Sequence, residues 1–204
     1  MDSLGRKIQL GIFAVFLAFI LISALRTGLA DVVSLNANHL MNAWHSARRM
    51  PSVEQIETVT NRLDFARYLT ASDPAIYENM ARTRLIRAVL PGATAEEKRA
   101  QLRAGLSEIR TATRLRPISP YSWVILLAIK RDLKEFDAEF RTALHRALEL
   151  GPWEPRLLPV LIDVGSDAWS SMPAQEQALI QQMFIRGLEK RHVSIRDELR
   201  VRTD

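Results

Sequence analysis

The chain has 204 residues, no cysteine, and 28 lysines and arginines against 23 acidic residues, which gives a formal charge of +5. This length suits one domain with an appendage. The lack of cysteine excludes disulfides, a thiolate nucleophile and cysteine-based zinc or iron–sulfur sites. Only eight glycines and nine prolines occur among many Ala, Leu, Arg, Glu and Gln residues, a composition that predicts an all-α fold.

An uncharged apolar run lies close to the N-terminus. Residues 8–25 contain no charged side chain, and eighteen such residues are at the short end of what crosses a ~30 Å hydrocarbon layer. Arg6 and Lys7 precede the run and Arg26 follows it. The basic pair favours a cytoplasmic N-terminus and places the rest of the chain across the membrane. We therefore expect a short cytoplasmic tail at 1–7 and a transmembrane signal anchor at 8–26.

Two other interpretations of this run stay open. A cleaved secretory signal would end at the small residues Gly28-Leu29-Ala30. The run is longer than the usual apolar core of such a signal and ends in Arg26, so an uncleaved anchor is favoured. A buried core helix is the third interpretation. The uncleaved anchor and the cleaved signal would both export the same domain. We expect a single-pass protein of a bacterial inner membrane with a periplasmic C-terminal domain.

The segment 27–52 predicts a juxtamembrane amphipathic helix and a linker. Its apolar residues recur at helical spacing; they are Val33, Ala37, Leu40, Met41 and Trp44. Met50-Pro51-Ser52 interrupts this pattern. Everything beyond it, 53–204, is predicted to be one helical domain.

Start and stop signals divide that domain into helices. A helix is predicted from Val53 to Leu69, a second opens at Asp73-Pro74 and runs to Leu90, and a capping box at Thr94–Glu97 opens a third that ends near Arg116. Towards the C-terminus, a helix is predicted after Pro173 with an apolar side formed by Leu179, Ile180, Met183, Phe184 and Leu188, and Ser194 is expected to cap a last short segment.

Two stretches, 115–123 and 150–158, share the frame Leu-x-Pro-x-x-Pro-x-x-apolar at an offset of 35 residues. A period in this range marks stacked helix pairs, and 34 is the tetratricopeptide spacing. With Trp123 and Leu126 on a first helix and Phe136 at the corner, the sequence resembles a tetratricopeptide-type repeat. Leu127, where a small residue is expected, departs from it. The resemblance implies a tetratricopeptide-like helical-hairpin array, a short α-solenoid, against the alternative of an unrelated bundle.

The central stretch 135–155, after Arg116-Pro-x-x-Pro-Tyr-x-Trp123, is similar to small single-pass proteins of the VpsP type. These proteins belong with bacterial exopolysaccharide biosynthesis and export systems. The resemblance implies a non-catalytic accessory role in the cell envelope. It supplies no site residues.

Motifs for catalysis are not found. The four histidines form no His-x-x-x-His or His-Glu-x-x-His pair, and no phosphate-binding glycine loop or Gly-x-Ser-x-Gly elbow occurs. Acidic pairs such as Asp137 with Glu139 stand at a helix start, where they suit the helix dipole. We expect no enzyme activity, no catalytic or metal-binding residues and no cofactor.

Charge location indicates candidate partner surfaces. Between Arg82 and Arg116 lie nine basic and three acidic residues, and one face of the capped helix carries the Arg stripe, namely Arg99, Arg103, Arg110 and Arg114. Arginine forks suit carboxylates and phosphates, although a solvated helix face is the simpler interpretation. A second surface, the groove that first helices line in stacked pairs, would carry Tyr121, Val124, Ala128 and Arg131. Export removes nucleic acid as a partner.

These observations predict a membrane-anchored periplasmic scaffold that assists exopolysaccharide biosynthesis or export through protein–protein contacts. Its partners would be protein components of the synthesis or export complex. The first alternative is a binding module for an anionic glycan or lipid that uses the Arg stripe. The second is an assembly factor for another envelope complex.

Overall fold

The structure is a computed structural model that describes residues 3–46, 50–152, 154, 156–182 and 185. Within these residues the chain is helical and contains no strand, which confirms the all-α prediction. The α-helices are α1 (Ser3–Ser46), α2 (Val53–Leu69), α3 (Pro74–Ala88), α4 (Ala95–Leu115), α5 (Pro120–Leu133), α6 (Ala138–Leu150) and α7 (Leu158–Ala168), followed by a 3-10 turn (Trp169–Ser171) and helical residues 174–182.

Helix α1 joins the expected anchor and the expected juxtamembrane segment in one uninterrupted helix of 44 residues. The large side chains of its apolar run are exposed from Leu10 to Leu25, so the run is not a core helix of the described part of the chain. The second half packs differently, because Ala30 and Ala37 are fully buried against α2 and α3. One helix therefore begins as an exposed apolar rod and ends as part of a folded core.

The ends of α2, α3 and α4 follow from local side-chain chemistry. Ser52 forms a capping box with Gln55 at the start of α2, and Asp73 accepts the Ala75 N–H at the start of α3. The capping box predicted at Thr94 is present, with the Thr94 hydroxyl accepting the Glu97 N–H and the Glu97 carboxylate accepting the Thr94 N–H. The bounds of α2 agree with the prediction, whereas α3 ends two residues before Leu90.

The main core lies among α3, α4, α5, α6 and α7. Consecutive helices pack in pairs, and α5 also contacts α3 and α7. Leu126, Leu127 and Ile129 on α5 are almost completely buried. At Gly105 of α4 an added Cβ would lie 3.3 Å from the Ile129 Cδ1, so the missing side chain allows α4 and α5 to approach closely. Helix α5 is therefore the centre of the domain.

The 35-residue offset recurs at helix ends but not at helix starts. Helices α4 and α6 end at Leu115 and Leu150, whereas α5 begins at Pro120 and α7 begins only at Leu158. The second frame is thus followed by a longer turn than the first. Of the C-terminal residues, Ile180 is buried in the main core; the predicted roles of Met183, Phe184, Leu188 and Ser194 lie outside the described residues.

Candidate functional site: a charged cluster between three helices

A lysine ends the apolar stretch of α5 and is completely buried. The Lys130 Nζ lies 2.8 Å from Asp137 Oδ2, 2.7 Å from Glu139 Oε2 and 3.8 Å from Glu135 Oε2. A buried ammonium is tolerated only when it is paired and hydrogen-bonded. The three carboxylates stand in the α5–α6 connection and in the first turn of α6, so Lys130 fixes the position of that turn against α5.

Two arginines of α4 complete this group. The Arg110 Nε and Nη2 donate to the two carboxylate oxygens of Glu139 at 2.7 and 2.6 Å, a bidentate pair. Arg103 donates to Glu135. We call these residues the charged cluster; its members are Arg103, Arg110, Lys130, Glu135, Asp137 and Glu139. Three cations and three carboxylates alternate across α4, α5 and α6, and the cluster carries no net formal charge.

The cations favour the ionised form of two carboxylates of the cluster, Asp137 and Glu139. The hydrogen bond from Arg110, opposed by burial and joined by Lys130, lowers the pKa of Glu139 from 4.5 to about 2. For Asp137, burial acts to raise the pKa, but hydrogen bonds from Lys130 and from the Phe140 N–H prevail and lower it. Asp137 and Glu139 are therefore suited to holding helices together and poorly suited to accepting a proton at neutral pH.

The Arg stripe expected from the sequence is divided by these contacts. Arg103 and Arg110 are used within the chain, and the Arg114 Nη2 donates to the Thr111 hydroxyl at 3.0 Å. Arg99 is exposed and has no acidic partner in the described ranges. The face therefore presents about half of the charge that helical spacing alone suggests. The acidic partners escaped notice because they lie 29 and 32 residues further along the chain.

The expected groove is also partly closed. Val124 and Ala128 are 5% and 9% exposed, because α5 is packed between neighbouring helices. Tyr121 is half-buried against the main core, and desolvation together with a hydrogen bond to Glu154 raises the pKa of its hydroxyl. Arg131 pairs with Asp132 at 2.9 Å. Tyr121 and Arg131 remain at the rim of the domain, whereas the two residues between them belong to its interior.

A second buried carboxylate joins α3 to the α4–α5 connection. Glu78 is 6% exposed, and its Oε1 accepts hydrogen bonds from Arg116 Nη2 at 2.8 Å, from the Ser119 hydroxyl at 3.2 Å and from the Ser122 hydroxyl. Three donors on one oxygen satisfy the buried charge. Sequence reasoning missed this contact as well, since Glu78 stands in an otherwise ordinary helix about forty residues away from its donors.

Across the part of the chain that the structure describes, no three histidine or acidic side chains are grouped as metal ligands. A polar cavity of about 170 Å³ lies between α2, α3 and α4, where Thr60, Arg84 and Arg87 are among the lining residues. The charged groups of the described residues thus mainly form contacts that hold helices together.

The described part of the chain is helical and includes one N-terminal helix long and apolar enough, by length and composition, to cross a membrane. The chain matches no protein-family model, no curated protein and no solved structure.

Proposed function

We propose that this chain is a membrane-anchored scaffold whose tetratricopeptide-like domain lies in the periplasm and holds together components of an exopolysaccharide synthesis or export complex. The observation that carries the proposal is the continuity of α1, which is an exposed apolar helix over residues 10–25 and a buried core helix at Ala30 and Ala37. Anchoring fixes the domain at the membrane and raises its effective concentration for partners there.

The position of Ala30 supports an uncleaved anchor over a cleaved signal. Ala30 is 0% exposed within the cluster formed by α1, α2 and α3. Processing after Ala30 would remove this residue from the cluster. Retention of the whole helix keeps both the membrane span and the packing.

Helix packing supports a tetratricopeptide-like array. In such arrays a helix pairs with its chain neighbours and also contacts the equivalent helix of the next unit. Helix α5 has this environment, since it packs against α4 and α6 and also against α3 and α7. The shared 35-residue offset between the ends of α4 and α6 is in the same range as the repeat period.

The polysaccharide context comes from the resemblance of 135–155 to proteins of the VpsP type, and the periplasmic side from Arg6 and Lys7 before the span. Pairing of Arg103 and Arg110 within the chain favours a scaffold over the alternative of an anionic-glycan binder. A scaffold needs a firmly assembled array, and the charged cluster provides one.

Co-purification from intact cells tests the function. A tagged full chain is extracted in mild detergent, and the captured proteins are compared with those held by an unrelated single-pass protein. We expect a glycosyltransferase, polymerase or export component to be enriched. Recovery of none of these refutes the proposal, and recovery of a cytochrome-assembly or secretion component instead supports the second alternative.

A double charge reversal separates the scaffold from the glycan binder. Arg99→Glu with Arg114→Glu reverses charge on exposed side chains while leaving the charged cluster intact. The scaffold predicts unchanged protein partners and no salt-sensitive binding of an anionic polysaccharide to the wild-type chain. Binding that weakens both with salt and with the double reversal would establish the glycan alternative.

The side of the membrane is tested with single cysteines, since the chain has none of its own. Val89 is 44% exposed at the end of α3, so a Val89→Cys variant is accessible to a membrane-impermeant maleimide. Labelling in cells with a permeabilised outer membrane is expected. Labelling only after the inner membrane is broken would place the domain in the cytoplasm.

A further inference from the structure

We propose that the turn between α2 and α3 rests in the phospholipid headgroup layer, with Tyr68 and Arg26 as its interfacial residues. This inference depends on the membrane anchor of the proposed function. It adds a second place at which the chain meets the lipid surface, and therefore a defined orientation of the domain on the membrane.

The first step is the direction of α2. Arg62 of α2 contacts Asn36 of α1, and the Arg26 Nη2 donates to the Tyr68 carbonyl at 3.3 Å. The contact partner on α1 moves towards the N-terminus as α2 advances, so the two helices are antiparallel. The C-terminal end of α2 therefore points towards the apolar run.

The second step is the height of that end. Counting six residues down α1 from Asn36 places Tyr68 opposite Ala30, and Ala30 lies only about 7 Å beyond Leu25 at ~1.5 Å per residue. The headgroup layer is about 5–7 Å thick on each side of the hydrocarbon. The last turn of α2 and the connection to α3 consequently lie within that layer when 8–25 spans the bilayer.

The third step is the chemistry of the turn. Tyr68 is 78% exposed, more than the other exposed large hydrophobic side chains of α2, Val53 and Phe65, and tyrosine is enriched where a membrane meets water. Arg26 supplies a cation beside it. The Tyr77 hydroxyl donates to the Ala71 carbonyl at 3.2 Å, which holds the turn in place. Ala71 and Ser72 are exposed, so no described side chain covers the turn.

The opposite end of the same helices provides an internal reference. The Thr83 hydroxyl of α3 donates to the Met41 sulfur at 3.8 Å, so α3 rises beside α1, away from the apolar run. Val89, six residues further along, lies about 25 Å farther from the membrane than Tyr68. Tyr68 and Val89 are exposed residues at opposite ends of the α2–α3 pair, and they differ mainly in their expected distance from the membrane.

Lipid quenching in vesicles tests the inference with the full chain. Single cysteines at Tyr68→Cys, Ser72→Cys, Val89→Cys and Phe16→Cys carry the same fluorophore in phospholipid vesicles doped with headgroup-labelled or acyl-chain-labelled quenching lipids. We expect several-fold stronger headgroup quenching at 68 and 72 than at 89. The label at 16 should respond mainly to acyl-chain quenchers. Helix content of each variant is checked by circular dichroism.

The outcomes separate the two proposals. Weak quenching at 68 and 72, equal to that at 89, with strong quenching at 16 overturns the headgroup contact and leaves the anchor intact. Shielding of 68 and 72 from aqueous iodide without lipid quenching also overturns it, since protein then covers the turn. Weak quenching at 16 shows that the span itself is absent, and the proposed function fails with it.

Discussion

Replacement of Lys130 by methionine probes the charged cluster, because methionine keeps the buried chain and removes the charge. Lys130 is 0% exposed. The replacement removes its two short contacts, to Asp137 at 2.8 Å and to Glu139 at 2.7 Å. Breaking a buried ion pair costs about 3–5 kcal/mol. The freed carboxylates are partly exposed, at 55% and 32%, so water recovers some of this loss. We expect the free energy of unfolding to fall by about 3 kcal/mol.

Thermal unfolding of the full chain in non-ionic detergent, followed by circular dichroism, measures the effect. A loss of this size lowers Tm by roughly 6–12 °C in a domain of this length. Lys98→Met removes an exposed lysine of α4 and serves as the control with no change. Adding Asp137→Asn to Lys130→Met should return part of the loss, since Lys130 is the cation paired with Asp137 among the described contacts and asparagine can still accept the Phe140 N–H at the start of α6. An unchanged Tm for Lys130→Met refutes the reasoning.

Four further replacements, one of them with a matched control, test separate contacts. Thr94→Ala removes the cap of α4 and should cost about 1 kcal/mol in chemical denaturation; an unchanged midpoint contradicts the capping geometry. Glu139 has a lowered pKa, so its stabilisation is present above pH 4.5 and is lost as the pH falls towards about 2; Glu139→Gln, allowing for its exposure, should flatten this acid-side loss by about 1 kcal/mol, and identical pH profiles argue against it. Burial raises the pKa of Glu108, which reverses the sign, so Glu108→Gln should be at least as stable as wild type at pH 7, with an advantage that shrinks on acidification. Gly105→Val places side-chain atoms against α3 and α5 and should cost about 1–3 kcal/mol, whereas Gly28→Val meets open space and should leave the Tm almost unchanged.

Local signals in the sequence predicted much of the helical architecture. The bounds of α2 and the capping box of α4 depend on neighbouring residues, and both agree with the structure. The continuity of α1 was not predicted, because the change from a uniformly apolar to an amphipathic pattern near Arg26 indicates a change of environment and not a break in the helix. Helix α7 was also missed, since its eleven residues carry Pro159 near the start and lack a side-chain cap.

Sequence reasoning predicted the arginines of the candidate site but not their acidic partners. Helical spacing placed the arginines of α4 on one face, but it contains no information about residues on other helices. Arg110 and Glu139 are 29 residues apart. They meet only because the chain reverses direction through α5, which brings α6 next to α4. A lysine at the end of seven apolar residues, followed by acids at alternate positions from Glu135 to Glu139, is the signal that predicts a buried ion pair here. Glu78 offered no comparable signal, since its three donors lie beyond another helix.

The uninterrupted helix from Ser3 to Ser46 has a mechanical consequence. A domain on a flexible linker sweeps a wide volume above a membrane, whereas a domain that continues the membrane helix can only tilt and spin with it. With α1 across a membrane, as proposed, the height of the domain above the bilayer would stay nearly constant while the protein diffuses laterally. A partner in the same bilayer then meets a surface that is already at the right level and in a limited range of directions, so less orientational freedom is lost when the two proteins associate.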